Sequence, residues 1–259
     1  MTISATRTRN FWTEAKCAKA FWGQQELPAY RRLLADTLDW AAPEPGEKWL
    51  DLGCGSGALT RGLWEYSAGC VESVVGVDCA ETNQRRYRLL QLALTPSSTE
   101  RIQFLCHNFS VDGLGIFQQN SFDHAVSGLS ISYAESFDER SHTWTQTAYD
   151  RLLAEVLRVL RPGGRFVFSV NIPEPSWFKV GLRSLNGVFT ARKPLHFLKK
   201  SARMLRYGAW LKREARRGRF HYLPWETVAG KLGSAGFSDV EHRLSFAGQA
   251  FIFRAVKPC

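Results

Sequence analysis

The sequence predicts an α/β fold: a mostly parallel sheet of seven strands, helices on both faces, and an antiparallel hairpin at the end. Two patterns carry that expectation. Short apolar strands alternate with amphipathic helices through five units between Lys48 and Val170. After residue 223 the order changes to one helix and two adjacent strands, with Gly248-Gln249 as the turn between them. Composition agrees, since 259 residues at 44% apolar and 13% aromatic can bury a sizeable core and exclude a disordered or fibrous chain.

Taken in order, Phe11 to Ala41 read as two helices, with Pro28 near the start of the second. Lys48 to Leu52 is a short buried strand that enters a glycine run and then a helix from about Ala58 to Ser67. Ser73 to Asp78 is the second strand, followed by a helix from Glu81 to Leu94. Thr95-Pro96-Ser97-Ser98 turns into a third strand, Arg101 to Cys106. Phe122 to Leu129 gives the fourth, and a helix follows from about Thr143 to Leu160. Arg161-Pro162-Gly163-Gly164 turns sharply into the fifth strand, Arg165 to Val170. The last elements are a helix from Pro224 to Ala235 and strands from about Phe237 to Phe246 and Ala250 to Val256. The chain thus divides into N-terminal helices (1–44), a core (45–172), an insertion (173–222) and the remainder of the core (223–259).

Charge is uneven along this plan. The total of 34 Lys and Arg against 24 Asp and Glu gives a net +10, which ordinarily suggests a polyanion or an anionic surface as partner. Between Lys179 and Arg219, however, 13 bases face Glu214 alone, leaving 21 bases against 23 acids elsewhere. A slightly acidic domain carries one strongly basic segment. No apolar run approaches the length of a membrane span, and the start lacks the apolar stretch of a secretory signal. Cys17, Cys54, Cys70, Cys79, Cys106 and Cys259 form no metal-ligand spacing, so reduced cysteines in a cytoplasmic protein are the expectation, with no metal site.

The informative stretch is Leu50-Asp51-Leu52-Gly53-Cys54-Gly55-Ser56-Gly57. A glycine turn between a parallel strand and a helix lets a ligand approach the backbone closely. By letters, Gly53, Gly55 and Ala58 also fit the dinucleotide fingerprint GxGxxA. Three features argue against a nicotinamide enzyme. Asp51, just before the first glycine, would repel a pyrophosphate and welcome a cationic amino-acid group; the glycines follow the GxGxG form; and the terminal hairpin adds a reversed strand that dinucleotide folds usually lack.

On these residues the chain resembles the class I S-adenosylmethionine-dependent methyltransferases, most closely the broad type 11 small-molecule group. Asp51-x-Gly53-x-Gly55-x-Gly57 matches that family's first motif and Asp78, ending Val75-Gly76-Val77-Asp78, its acidic ribose-binding position. Phe122-Asp123-His124-Ala125-Val126-Ser127 matches the strand-four motif, and Leu157 to Gly164 the motif before strand five. Four motifs in order are specific where one would be weak. The resemblance covers about residues 45 to 171 well and 222 to 257 in outline.

It implies a Rossmann-like fold and S-adenosyl-L-methionine as cofactor. The implied contacts are Asp51, Gly53, Cys54, Gly55 and Gly57, then Asp78 and Cys79, Asn108 and Phe109, and Ser127. Each has a plainer alternative: the glycines as turn formers, the aspartates as helix caps, the cysteines as packed small residues, Asn108 as a turn former and Ser127 as packing. Two departures stand out. Asn108 occupies the place after strand three where many members have an adenine-binding Asp, and Ser132-Tyr133 stands where many have a His pair. The Asn/Asp-Pro-Pro-Tyr signature of adenine and amide methylation is absent, and no Pro-Cys pair supports a covalent cytosine mechanism. Among the histidines, His221 is the foremost candidate for a general base, because Phe220-His221-Tyr222 reconnects the insertion to the core. Tyr133, just beyond strand four, is the other catalytic candidate. A lid over the cofactor is one reading of Trp12, Phe21, Trp22 and Tyr30, and ordinary helix packing the other.

The insertion itself reads as a helical cap. From Phe197 to Arg217 a helical projection gathers Phe197, Leu198, Met204, Leu205, Ala209 and Leu211 on one side and Lys199, Arg203, Arg206, Arg213 and Arg217 opposite, with Gly208 as a point of breakage. A solvated cap, an interfacial helix on an anionic membrane surface and a polyanion-binding face are the three readings of residues 179–219. The activity implied is in-line methyl transfer to a small lipophilic or aromatic acceptor. The alternatives are methylation of RNA through the basic insertion, or a fold that binds the cofactor without transfer.

Overall fold

The computed structural model describes residues 11–22, 24–95, 99–176 and 206–259. Helices α1 (Ala15–Ala20) and α2 (Pro28–Ala41) precede β1 (Lys48–Leu52), α3 (Ala58–Tyr66), β2 (Ser73–Asp78), α4 (Thr82–Leu94) and β3 (Ile102–Cys106). The chain continues through α5 (Phe109–Asp112), β4 (His124–Gly128), a short hairpin of β5 (Ser136–Asp138) and β6 (Thr143–Thr145), α6 (Thr147–Val159) and β7 (Arg165–Asn171). A helix over residues 206–216, here α7, comes next, and α8 (Trp225–Ala235), β8 (Ser238–Ser245) and β9 (Ala250–Val256) complete the fold.

The main sheet has the order β3-β2-β1-β4-β7-β9-β8. The five strands from β3 to β7 are parallel, whereas β9 runs antiparallel to both β7 and β8. The expected seven-stranded sheet with a terminal hairpin is the one that forms. Helix connections cover both faces of such a sheet, so its central strands are buried on both sides; Trp49, Leu50 and Leu52 of β1 have no exposure. One core lies between the sheet and α6 and α8, and a second beneath α2, α3 and α4. The order in which strands are added reverses between β1 and β4, and the crevice beyond the carboxyl ends of those two strands is where α/β sheets of this kind take ligands.

Four local expectations need correction. The helix expected from Thr143 begins at Thr147, because Thr143–Thr145 pairs with Ser136–Asp138. The Thr-Trp-Thr run suits a strand, and Ser136 Oγ holds the junction by donating to the Thr145 carbonyl. The fourth strand starts at His124, with Phe122 joined only by an isolated bridge to Leu160. The terminal hairpin turns through Phe246 to Gly248, with Phe246 and Ala247 both at positive φ, where a two-residue turn was expected. Gly208 lies buried inside α7 and does not break it, and Ala209, expected on the apolar side, is exposed.

Candidate functional site

The carboxyl ends of β1, β2 and β4 meet beneath the N-terminal segment in one cavity of about 160 Å³. Its floor is the glycine turn. Gly53, at φ +67, passes so close to Ser130 that a Cβ would collide with that side chain, and Gly57, at φ +85, is pressed against Leu90 and Tyr87. Gly55, at φ +54, has nothing within 4 Å of where a Cβ would stand and lines the cavity with Gly53 and Cys54. Gly53 and Gly57 thus let the turn pack, whereas Gly55 keeps space open for a ligand.

Asp51 lies one step below the turn, fully buried. One oxygen accepts from the Thr60 backbone N–H at 3.1 Å and from Thr60 Oγ1 at 2.7 Å. The other, Oδ1, has no partner among the described residues. Burial pushes its carboxyl up to about 7, against the lowering effect of the Thr60 bonds and with a further raise from Asp78. At the end of β2, Asp78 accepts from Gly55 N at 2.9 Å, from Ala80 N at 2.8 Å and from Asn83 Nδ2 at 3.1 Å. Three donors on a carboxylate with about four acceptor positions leave room for a ligand hydroxyl, and Asp78 lines the cavity. Burial holds it above the usual carboxylate range, opposed by those three hydrogen bonds.

The other expected residues divide. Cys79 and Phe109 line the cavity. Asn108 spends its side chain capping α5, accepting from Ser110 N at 3.1 Å, and Ser127 is fully buried with its hydroxyl on the Leu52 carbonyl; neither reaches the cavity. Gly128 at the end of strand four does reach it, as do Leu129 and Ser130 just beyond, and Ser130 donates to the Gly53 and Gly128 carbonyls at 3.0 and 2.9 Å. Among the sequence's catalytic candidates, His221 is turned away. Its Nε2–H donates to the Ala134 carbonyl at 3.0 Å, its backbone N–H to the Ser132 carbonyl, and burial lowers its pKa, so it is a neutral, satisfied core histidine. Tyr133 does line the cavity. Its ring packs between Trp12 at 4.6 Å and Phe220 at 4.9 Å, and its hydroxyl lies 2.9 Å from that of Tyr222.

Trp12, Phe21, Trp22 and Tyr30 all face the cavity from the N-terminal side. Trp22 reaches furthest, donating from Nε1 to Asn83 Oδ1 at 2.7 Å, one bond away from Asp78. Gly208 and Leu211 of α7 also line it, as does Phe246. Asn83, Ser130 and Phe246 were missed by sequence reasoning. Asn83 left a faint signal in standing five residues beyond Asp78, in the first turn of the helix that follows it, the other two none. Of the basic segment, the described cations are Arg206, Lys212, Arg213, Arg216, Arg217 and Arg219. Lys212 and Arg216 converge on Glu174, Arg213 and Arg217 on Glu214, and Arg219 on Glu135 and Glu214. The expected facing of Phe197, Leu198, Lys199, Arg203, Met204 and Leu205 lies outside the described residues.

Residues 50–168 match the family model described as a methyltransferase domain. The chain is 30% identical over 130 residues to a 24-methylenesterol C-methyltransferase 2 of Arabidopsis thaliana, covering 50% of this chain and 30% of that protein. It is also 30% identical over 138 residues to a ubiquinone/menaquinone biosynthesis C-methyltransferase UbiE of Cereibacter sphaeroides, covering 52% and 47% respectively. The chain thus spans less than half the length of these two curated relatives. Among solved structures it is similar to a 1,6-didemethyltoxoflavin-N1-methyltransferase of Burkholderia thailandensis, with a TM-score of 0.58, 18% identity and coverage of 91% of this chain and 81% of that one. At that identity the likeness concerns the fold alone.

Proposed function

We propose that this chain, whose residues 50–168 are a methyltransferase domain of the class I S-adenosylmethionine-dependent family, transfers a methyl group to a small apolar or aromatic acceptor. The observation that carries the reading is one shared cavity, lined both by the glycine turn with Asp78 and by the rings of Trp12, Phe21 and Tyr133. S-Adenosylmethionine, when bound, supplies a methyl on a cationic sulfonium. The residues fit that group. Gly55 leaves open space at the turn and Asp78 keeps acceptor capacity for a ribose hydroxyl, while Asp51, which does not itself line the cavity, has its Oδ1 without a partner among the described residues just below the turn. Cys79 and Phe109 would border the base, in place of Asn108.

What the protein contributes to the transfer is position and a dry environment. Trp12, Phe21 and Leu211 exclude water from the cavity, which holds nucleophile and methyl donor at short range and strengthens electrostatic contacts within. The sterol and quinone acceptors named for the two relatives are lipophilic, which agrees with this lining. The basic segment gives less support to RNA, because Lys212, Arg213, Arg216, Arg217 and Arg219 pair with Glu174, Glu214 or Glu135. Arg213, Arg216 and Arg217 remain more than three-fifths exposed, and docking on an anionic membrane surface to reach a lipophilic acceptor is the finer part of this proposal.

Titration calorimetry with S-adenosylhomocysteine tests the core reading: the wild type should bind, and Asp78→Ala should bind about 30-fold or more weakly. No binding by the wild type would overturn it. Label from methyl-labelled cofactor in a cell extract should enter the lipid or small-molecule fraction. Entry into RNA, or no transfer at all, would favour one of the alternatives. Sedimentation with anionic vesicles at moderate salt decides the membrane part.

A further inference from the structure

Helix α4 presents two unlike faces. Asn83, Tyr87 and Leu90 are buried, whereas Arg85, Arg88, Leu89 and Leu92, spaced i, i+3, i+4 and i+7, form one exposed stripe on the other side. Leu89 is 60% and Leu92 50% exposed, so two bare leucines follow directly on two bare arginines. Arg86 and Lys19 of α1 are exposed beside them, their cations 4.6 and 5.8 Å from the centroid of the Trp22 ring. Lys19, Arg85 and Arg86, with Trp22 and Leu89, wall a groove of about 760 Å³ between the two helices. Among its described lining residues Glu81, just before α4, is the one acid.

The pairing state of these cations sets the surface apart. Lys19, Arg85, Arg86 and Arg88 form no ion pair among the described residues, and α4 itself has no acid from Thr82 to Leu94. In α7, by contrast, Arg213, Arg216 and Arg217 are met by Glu214 and Glu174. A cation already paired adds little to the field that draws in an anionic surface, whereas unpaired ones of one sign add together. The leucines choose between lipid and polynucleotide. An exposed leucine offers nothing to a phosphate, and a base stacks on an aromatic ring instead. Arginine beside leucine on one helical stripe is the composition of a helix that lies at the boundary of headgroups and acyl chains. Trp22 is a wall of both the groove and the cavity that holds the glycine turn, so a bilayer on this face stands one side chain away from the site.

Extending the membrane part of the reading above, on which it rests, we propose that the outer stripe of α4, with Arg86 and Lys19, is the face that docks on an anionic phospholipid bilayer. The four cations meet headgroup phosphates, and Leu89 and Leu92 enter the acyl boundary. The paired arginines of α7 contribute little to this docking.

The test is sedimentation with vesicles of one part phosphatidylglycerol to three parts phosphatidylcholine, and with phosphatidylcholine alone. Wild-type protein should bind the first and leave the second. Arg85→Gln with Arg88→Gln should weaken binding about 10- to 30-fold. Leu89→Ser with Leu92→Ser, which leaves the charge unchanged, should weaken it about 5- to 10-fold. Arg213→Gln with Arg216→Gln removes the same charge from α7 and should weaken it less than about threefold. All three pairs are exposed, and calorimetry should find their affinity for S-adenosylhomocysteine within about twofold of the wild type. Equal losses in the two arginine pairs would make net charge the determinant and overturn the proposal. A leucine pair that binds like the wild type would overturn it too, and displacement of the vesicles by polyuridylate would then name a polyanion as the occupant. If the α4 pairs bind normally while the wild type binds anionic vesicles, this proposal falls alone. If the wild type ignores both vesicles, it falls together with the membrane part of the function, and calorimetry still judges the methyl-transfer reading separately.

Discussion

Gly55 and Gly57 stand two residues apart, both at positive φ, yet they face opposite surroundings: open cavity for one, Leu90 and Tyr87 for the other. Alanine at 57 meets both the left-handed backbone penalty and overpacking, so Gly57→Ala should lower stability by about 2–4 kcal/mol. Gly55→Ala meets only the backbone penalty, about 1–2 kcal/mol, but its methyl enters the ligand space, so S-adenosylhomocysteine affinity should fall further than stability does. Urea denaturation beside calorimetry separates the two. Asp51 offers a second residue-scale test. Its buried carboxyl keeps its proton up to about 7, whereas an unfolded one releases it near 3.8. Stability is therefore withdrawn as pH rises through that interval, and the loss is complete above it. Asp51→Asn keeps an acceptor for Thr60 and cannot ionise. Without ligand it should be more stable than wild type at pH 8, by roughly 2–4 kcal/mol, and about equal near pH 4. Its affinity for the cationic cofactor should fall. A variant no more stable at pH 8 would mean that Asp51 is better solvated than its burial indicates.

At the scale of elements, the N-terminal segment is tied to the site by a line of hydrogen bonds, Trp22 to Asn83 to Asp78. The Trp22 ring also lies under the Arg86 guanidinium at 4.6 Å. Trp22→Phe keeps the ring and removes the line. Because Asn83 Oδ1 then loses the Trp22 N–H and its amide aims less firmly at Asp78, cofactor affinity should fall about three- to tenfold, while the midpoint of global unfolding moves little. Equal loss of both would make Trp22 a packing residue. Such ties explain what could be foreseen from sequence. The sheet was legible because each strand is a short apolar run and each helix keeps its period; in α6, Leu152, Leu153, Val156 and Val159 mark the buried face without any tertiary knowledge. The glycine turn was legible because a positive φ next to a ligand demands glycine. Helix α7 was only half legible. Its one acid, Glu214, is buried where Arg217 and Arg219 meet it, and a charge pattern cannot show a buried ion pair whose partners come from Glu135 and Arg219 on distant segments. His221 misled for the same reason. Its position between Phe220 and Tyr222 suggested the cavity mouth, but strandlike alternation puts the two rings on the aromatic side and turns the imidazole to Ala134.

Over the whole molecule, two buried histidines and one buried aspartate set opposing pH dependences. His124, at the end of the sheet away from the cavity, has its tautomer fixed: Nδ1 accepts from Arg165 N at 2.9 Å and Nε2–H donates to Glu47 at 2.7 Å. Burial and then the Arg165 charge lower its pKa, against the raising effect of Glu47, and burial lowers that of His221. A histidine depressed in the folded state leaves its unfolded form to take up a proton first, near 6.5. Its contribution is full above that value and is lost as pH falls below it. Asp51 works the other way, gaining stability as pH falls from about 7. In the wild type the two trends cancel in part. Asp51→Asn removes one opposing carboxyl and leaves that of Asp78, which burial also raises, so the urea midpoint of that variant should fall more steeply than that of the wild type between pH 7.5 and pH 5.5. Adding His124→Gln and His221→Gln, each of which keeps a donor for Glu47 or Ala134, should flatten the dependence even though overall stability drops. A slope in Asp51→Asn that survives both glutamines would place the acid sensitivity in groups other than these two histidines.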